Sequence, residues 1–362
     1  MISARDMGPL PELAGVAGRE GGASVLAWGR VLWMFGYTTL SEPDALGSRL
    51  RSSTWTATLD LYAEDGVGGF TGRQDGAGGP AELLPYTTEE LAFNDAHAAL
   101  NPDCEAPCGA RRMLWPLSAV RDTHKDELLV FYAKYEGTPG PGGRGQVGPV
   151  GSSIAIWGEF EFGPVRPVLD PGAGEPTLLF TAPEPEFGQA SLIIDGRLYA
   201  FGCTDRQVEH PCLLARVAVD QVFTRAAWRF WSGVDWSPAL ADAVPVFDGA
   251  RTLSVYRNHH VDRYLAIYPG RGRATPEGDR AEPGTVVLRH APSLEGPWSK
   301  PERAFEAELG LDGSGPRAVS AHPEYSRGGG RFEYVSYVRA LGPGTSELRL
   351  VELELEPKTA TP

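Results

Sequence analysis

The sequence predicts an all-β chain folded as a single five-bladed β-propeller. Three observations predict it: a composition rich in turn formers, a unit repeated five times, and tight hairpin signals within the units. Glycine (45) and proline (31) are abundant among Thr, Val, Tyr, Phe and Trp, the mixture of many short strands and many turns.

Each unit places a serine in an apolar strand, followed by a turn and a second strand ending in aromatics. The copies are Ser24 in GGASVLAWGRVLWMFG, Ser118 in WPLSAVRDTHKDELLVFY, Ser191 in GQASLIIDGRLYAFG, Ser254 in TLSVYRNHHVDRYLAIY and Ser320 in AVSAHPEYSRGGGRFEYVSY. Successive serines are 94, 73, 63 and 66 residues apart. That length holds about four short strands, one propeller blade. A small residue suits the innermost strand, because the strands converge on a channel where bulky side chains collide. Trp28-Gly29-Arg30 and Asp195-Gly196-Arg197 read as tight hairpins. A two-sheet sandwich also supplies hairpins, but it does not require five similar units.

Further strands are expected at Thr54 to Leu61, Ser153 to Glu161, Leu213 to Val219, Thr285 to His290 and Glu347 to Leu355. The long first gap carries an insertion, about 84–112, whose segment PYTTEELAFNDAHAAL is the best helix candidate. Thr88 is expected as its N-cap, with Glu89 and Glu90 in the first turn. Glycine-rich Gly66 to Gly79 and Gly137 to Gly151 read as surface loops, so one domain spans 1–362.

The formal net charge of -14 argues against a nucleic-acid partner, since an acidic surface repels phosphate backbones. No apolar run reaches the roughly 18–20 residues of a membrane helix. The four cysteines lack a zinc spacing. Their even number fits two disulfides or four buried thiols; Cys203–Cys212 is the preferred pairing, with Cys104–Cys108 closing a small loop, and disulfides would imply an oxidising compartment. The segment Ile2 to Leu13 reads as the polar start of a mature exported chain, giving an extracellular or cell-envelope location. A monomer is expected.

Taken together, LWMFGYTT, LPYTTEELAFNDAH, RRMLWPLSAV, EPTLLF, LYAFGC with HPCLLARV, AAWRFWSG with DWSPA, SVYRNHHVDRYLAIY, LRHAPSLEGPWSKP, and AHPEY with YVSYVR resemble the bacterial family called domain of unknown function 4185. The resemblance runs over nearly the whole chain. It implies a propeller-like fold and, for some relatives, glycoside hydrolysis of arabinan-type polysaccharides. Hydrolase-like members carry Arg-Asp-Gly-Gly in the first strand and Phe-Gly-Asp-Thr in the second. Here the positions read Arg19-Glu20-Gly21-Gly22 and Phe35-Gly36-Tyr37-Thr38. One acid is kept as Glu20 and the other is replaced by the phenol of Tyr37.

Glycoside hydrolysis usually takes two carboxyl groups, an acid for the leaving oxygen and a base or nucleophile opposite. Propeller ligands commonly sit over the channel, so the candidates flank the five serines. Glu20, Glu186 and Glu324 are the candidate acid and base. Tyr37, Arg121, Asn258, His259 and His322 are candidate substrate contacts, with Arg111 and Arg112 beside the second strand. Trp115, Trp228, Trp231, Trp236 and Trp298 more naturally pack between blades than stack on sugars. Gly-x-Ser-x-Gly, a P-loop and a dinucleotide fingerprint are absent. No cofactor is expected, and no loop has the dense Asp pattern that would support calcium on the axis. Two functions remain open: a glycoside hydrolase-like enzyme, or a non-catalytic glycan-binding or surface propeller that has lost an acid at Tyr37.

Overall fold

The computed structural model describes residues 2–44, 47–76, 78–139, 145–204, 210–270 and 284–356. Its first strand, β1 (Ile2–Pro9), is the outermost strand of the last blade. Blade 1 holds β2 (Val16–Ala27), β3 (Arg30–Leu40), β4 (Leu50–Arg51) and β5 (Thr54–Thr58). Blade 2 holds β6 (Arg111–Asp122), β7 (Glu127–Thr138), β8 (Gln146–Gly158) and β9 (Phe180–Thr181). Blade 3 holds β10 (Ala190–Ile194), β11 (Arg197–Cys203), β12 (Pro211–Ala218), β13 (Arg229–Trp231), β14 (Trp236–Ser237) and β15 (Phe247–Asp248). Blade 4 holds β16 (Ser254–Asn258), β17 (Arg263–Pro269), β18 (Thr285–Ala291) and β19 (Glu302–Glu306). Blade 5 holds β20 (Arg317–Ala321), β21 (Phe332–Gly342), β22 (Thr345–Leu355) and, paired to β22, β1.

The innermost strands β2, β6, β10, β16 and β20 touch in that order, and β20 touches β2 to close the ring. This is a five-bladed propeller, and it excludes the sandwich. Ser24, Ser118, Ser191, Ser254 and Ser320 all line one axial cavity of about 170 Å³. Ser118 and Ser191 hydrogen-bond at 2.8 Å, and Ser254 Oγ accepts from the Ala321 amide at 2.9 Å, so the serines also join neighbouring blades.

Each seam between blades has its own apolar core. A strand inside a blade buries both faces, because alternate side chains point to opposite neighbours. In β7, Leu128, Val130 and Tyr132 pack toward blade 1, while Leu129 and Phe131 pack toward blade 3. That explains the unbroken apolar run LLVFYA. Trp33 and Phe35 of blade 1 meet Tyr334 and Leu350 of blade 5 in the closing seam. Trp228 is fully buried between blades 2 and 3, and Trp231, Trp236 and Trp298 pack against the seam of blades 3 and 4.

Ile2 to Leu13 contains β1, whose pairing with β22 brings the first and last described strands into one blade. Two local expectations need correction. The helix α1 is Thr88–Ala96, and its N-cap is Thr87 rather than Thr88. Glu90 decides between them: it stands at the third helical position counted from Thr87, where its side chain returns to the Thr87 amide at 2.9 Å and completes a capping box. Gly137 to Gly151 is mostly strand, since β7 continues to Thr138 and β8 begins at Gln146; residues 140–144 lie outside the described residues. Both expected disulfides are present. Cys203 and Cys212 stand directly opposite in the β11–β12 ladder. Among the described residues no helix is long and apolar enough to cross a membrane.

Candidate functional site

Tight hairpins join β2 to β3, β6 to β7, β10 to β11 and β16 to β17, all at the ends where the innermost strands finish. Residues after each serine therefore lie toward this turn face. Residues before each serine lie toward the opposite face, here called the mouth.

Glu20 reaches the mouth through a bulge. Arg19 pairs with Thr38 and Gly21 with Phe35, so Glu20 alone opposes Gly36 and Tyr37. Gly21 and Gly22 have φ of +102° and +120°, a region that favours glycine, and they let β2 make this kink. The Glu20 carboxylate pairs with Arg317 of blade 5 at 2.7 Å. Burial raises the Glu20 carboxyl above its ordinary value, while the Arg317 charge works against the rise. Tyr37 feels both Arg111 and Glu20; burial raises its phenol, Arg111 lowers it and Glu20 raises it.

Arg111 begins β6 and lies 3.7 Å from Glu82, which accepts from the amides of Ser52 and Ser53. Burial raises the Glu82 carboxyl and pushes the neighbouring Tyr86 phenol up to about 12. Trp115, against Gly36, meets the Tyr135 ring at a tilt of 43° with ring centroids 4.3 Å apart. Tyr135 donates to Glu186 at 2.7 Å, and Arg251 Nη2 donates to both Glu186 oxygens at 3.1 and 2.8 Å and to the Tyr135 oxygen at 2.7 Å. Burial, with the Glu186 charge, raises the Tyr135 phenol far above its ordinary value. Desolvation opposes the Arg251 charge, but Tyr135 and Glu186 outweigh it and raise its pKa. A continuous run of contacts thus leads from Glu20 through Gly36, Trp115 and Tyr135 to Glu186 and Arg251.

The remaining candidates lie toward the turn face. His322 and Glu324 both meet Ser24 Oγ, and His322 Nε2 bonds Ser336 Oγ at 2.8 Å. His322 lies tilted against Trp33, ring centroids 4.2 Å apart, and is wholly buried, and burial lowers its pKa to about 3. Burial raises Glu324 to about 7, against the bond from Ser24. Asn258 is buried and bonds Glu333 and the Gly330 carbonyl. Arg121 pairs with Asp126 inside its own hairpin, and His259 is exposed in the next turn. The structure puts Glu20, Tyr37 and Arg111 together at the mouth and Glu186 on the same face with Tyr135 and Arg251, while Arg121, Asn258, His259, His322 and Glu324 lie toward the turn face. Arg112 stays beside α1, its guanidinium over the Phe93 ring.

Sequence reasoning missed Arg251, Arg317 and Glu82. Arg251 and Arg317 each stand three residues before the serine of their copy, a repeated offset that would have found them. Glu82 carries no local signal, because its partners come from distant strands. Among the described residues no group of three His, Cys, Asp or Glu side chains is placed to hold a metal ion.

Solved propellers resemble this chain across nearly its whole length. A protein of Bacteroides ovatus ATCC 8483, named only provisionally as a hydrolase, is 14% identical with a TM-score of 0.54, over 94% of this chain and 87% of that one. A protein of unknown function from Dyadobacter fermentans DSM 18053 is 10% identical with a TM-score of 0.50, over 98% and 99%. The catalytic domain of the Coprinopsis cinerea GH62 alpha-L-arabinofuranosidase is 11% identical with a TM-score of 0.46, over 97% and 96%. At these identities the likeness is one of fold. No curated protein matches the chain. Residues 176–329 match the family described as Domain of unknown function (DUF4185), the family that the sequence motifs resemble.

Proposed function

We propose that this propeller is a glycoside hydrolase-like, carbohydrate-active protein that acts on a polysaccharide outside the cytoplasm. The observation that carries the reading is the pair Glu20 and Glu186. They come from blades 1 and 3, lie toward the same mouth, and are linked through Gly36, Trp115 and Tyr135. Glycosidic cleavage needs two carboxyl groups, and this face presents two. Glu20, raised by burial, suits the acid that gives its proton to the leaving oxygen. Glu186, both oxygens accepting from Arg251, suits the base that takes a proton from water. The two disulfides support an oxidising compartment. Arabinan-type polymers are the substrate that the family resemblance implies.

A non-catalytic glycan-binding role has its own support. Glu20 and Glu186 are each tied to an arginine, and Tyr37 stands where hydrolase-like relatives carry an acid. Incubation with a panel of polysaccharides, with analysis of released oligosaccharides, separates the two. New reducing ends from at least one polymer are expected; binding without release from any polymer would favour the binder.

A further inference from the structure

Two of the mouth carboxylates have an arginine as their solvent-side partner. The Arg251 side chain is 41% exposed and its partner Glu186 only 9%. Arg317 is 46% exposed and its partner Glu20 32%. In each pair the guanidinium is the more exposed partner. Neither fork is used up. Arg251 spends only Nη2 on Glu186 and Tyr135, and Arg317 spends only Nη2 on Glu20; among the described residues their other N–H groups have no recorded hydrogen bond. A guanidinium fixed by one nitrogen, with its remaining edge in solvent, is set to take a planar or tetrahedral oxyanion through paired hydrogen bonds.

Their placement is regular. Arg251 and Arg317 stand three residues before Ser254 and Ser320, at corresponding positions of adjacent blades 4 and 5. Arg251 also lines the axial cavity. On a chain with net charge -14, an acidic polymer has no general attraction to the surface, so its capture depends on such local cations.

Resting on the carbohydrate reading above, we infer that the mouth takes an acidic glycan and seats its carboxylate or sulfate groups on Arg251 and Arg317. The first contact would fall on the exposed forks, leaving Glu20 and Glu186 behind them to face the sugar ring.

Calorimetric titration of the full chain tests this with four oligosaccharide probes: oligogalacturonate, the same oligomer with its carboxylates reduced to alcohols, a sulfated dextran oligomer and a neutral arabinan oligomer. Wild type is expected to bind at least one acidic probe about tenfold or more tightly than the neutral ones. Oligogalacturonate losing that advantage on reduction identifies the carboxylate; sulfated dextran alone binding identifies the sulfate. Arg251→Gln and Arg317→Gln should each erase the preference. Because the reduced oligomer removes the charge from the ligand, wild type alone decides if either variant fails to fold. Equal affinity for acidic and neutral probes would overturn the inference and leave the carbohydrate reading standing. Binding of none of the four would overturn the inference, and a polysaccharide panel without binding or cleavage would then remove the carbohydrate reading separately.

Discussion

Glu20 of blade 1 and Arg317 of blade 5 meet at 2.7 Å across the seam where the first and last blades close. The same seam holds Trp33, Phe35, Tyr334 and Leu350, and β1 from the start of the chain pairs with β22 from near its end. Ring closure therefore sets the position of a proposed acid: the bulge aims Glu20, and the neighbouring blade supplies the charge that holds it.

Tyr37→Asp adds a carboxylate next to Glu20 and Arg111. Like charges disfavour ionisation, so Glu20 should hold its proton to higher pH. In an enzyme that uses Glu20 as acid, the alkaline limb of the pH–rate profile should move upward while turnover stays within about tenfold of wild type. A pH series of initial rates checks this. An inert wild type that gains cleavage on this change would instead favour the binder.

Two buried acids near the turn face make stability depend on pH. Burial raises both Glu324 and Glu333 to about 7, and the Glu324 charge adds to the rise of Glu333. Both folded values lie above the unfolded value near 4.5, so the folded chain binds more protons than the unfolded chain between them. Stability is then highest below about pH 4.5 as far as these groups are concerned, falls as pH rises from about 4.5 to 7, and is flat beyond. Melting temperature should drop between pH 5 and pH 8. Glu324→Gln and Glu333→Gln should each flatten that drop; an unchanged slope in both would remove these acids as its cause.

Glu90 of α1 and Lys134 of β7 lie 2.8 Å apart, each 2% exposed, with Arg166 bonded to the same carboxylate. Burial opposes the Glu90 charge, but the Arg166 bonds and charge and the Lys134 bond outweigh it and hold its pKa at about 2. Glu90→Ala takes the carboxylate from buried Arg166 and leaves Lys134 with Glu175 alone. Such broken pairs typically cost about 3–5 kcal/mol, readable as a lower urea midpoint. The Glu90 contribution is present above the unfolded value and is lost as pH falls from about 4.5 toward 2.

Cys203 and Cys212 close a short loop between paired strands, with Cα atoms 3.9 Å apart. Replacing both by Ala should cost about 2–3 kcal/mol, because the unfolded chain regains the freedom of that loop. Reduction of wild type should lower the melting temperature further than the double substitution does, because it also opens Cys104–Cys108, and on the double variant it should show only that second bridge's share. Cys104–Cys108 closes a smaller loop, so its loss should cost less.

The five serines were legible because a constraint repeated in every blade, close approach at the axis, selects the same small residue at the same place. The site was half legible. The sequence places a candidate near a strand end but does not say which end opens. Strand direction separates Glu20, Arg111 and Glu186, which precede their serines, from Arg121, Asn258, His259, His322 and Glu324, which follow theirs. The buried partners of Glu90 and Glu82 were out of reach for another reason: Lys134, Arg166, Ser52 and Ser53 come from strands and loops far along the chain, and no local pattern couples them. Thr87 and Thr88 are equivalent caps by residue type, and only the reach of Glu90 back to Thr87 distinguishes them.

The central claim, that the mouth carboxyls Glu20 and Glu186 perform glycosidic cleavage, is tested most directly by the turnover of Glu20→Gln and Glu186→Gln on the polysaccharide that wild type degrades best. Loss of a catalytic acid or base typically costs about 10²–10⁴-fold, so both variants should fall by at least about a hundredfold with melting temperatures near that of wild type. The Glu20 variant should recover on an aryl glycoside whose leaving group needs no proton. Full activity in both folded variants would contradict the account.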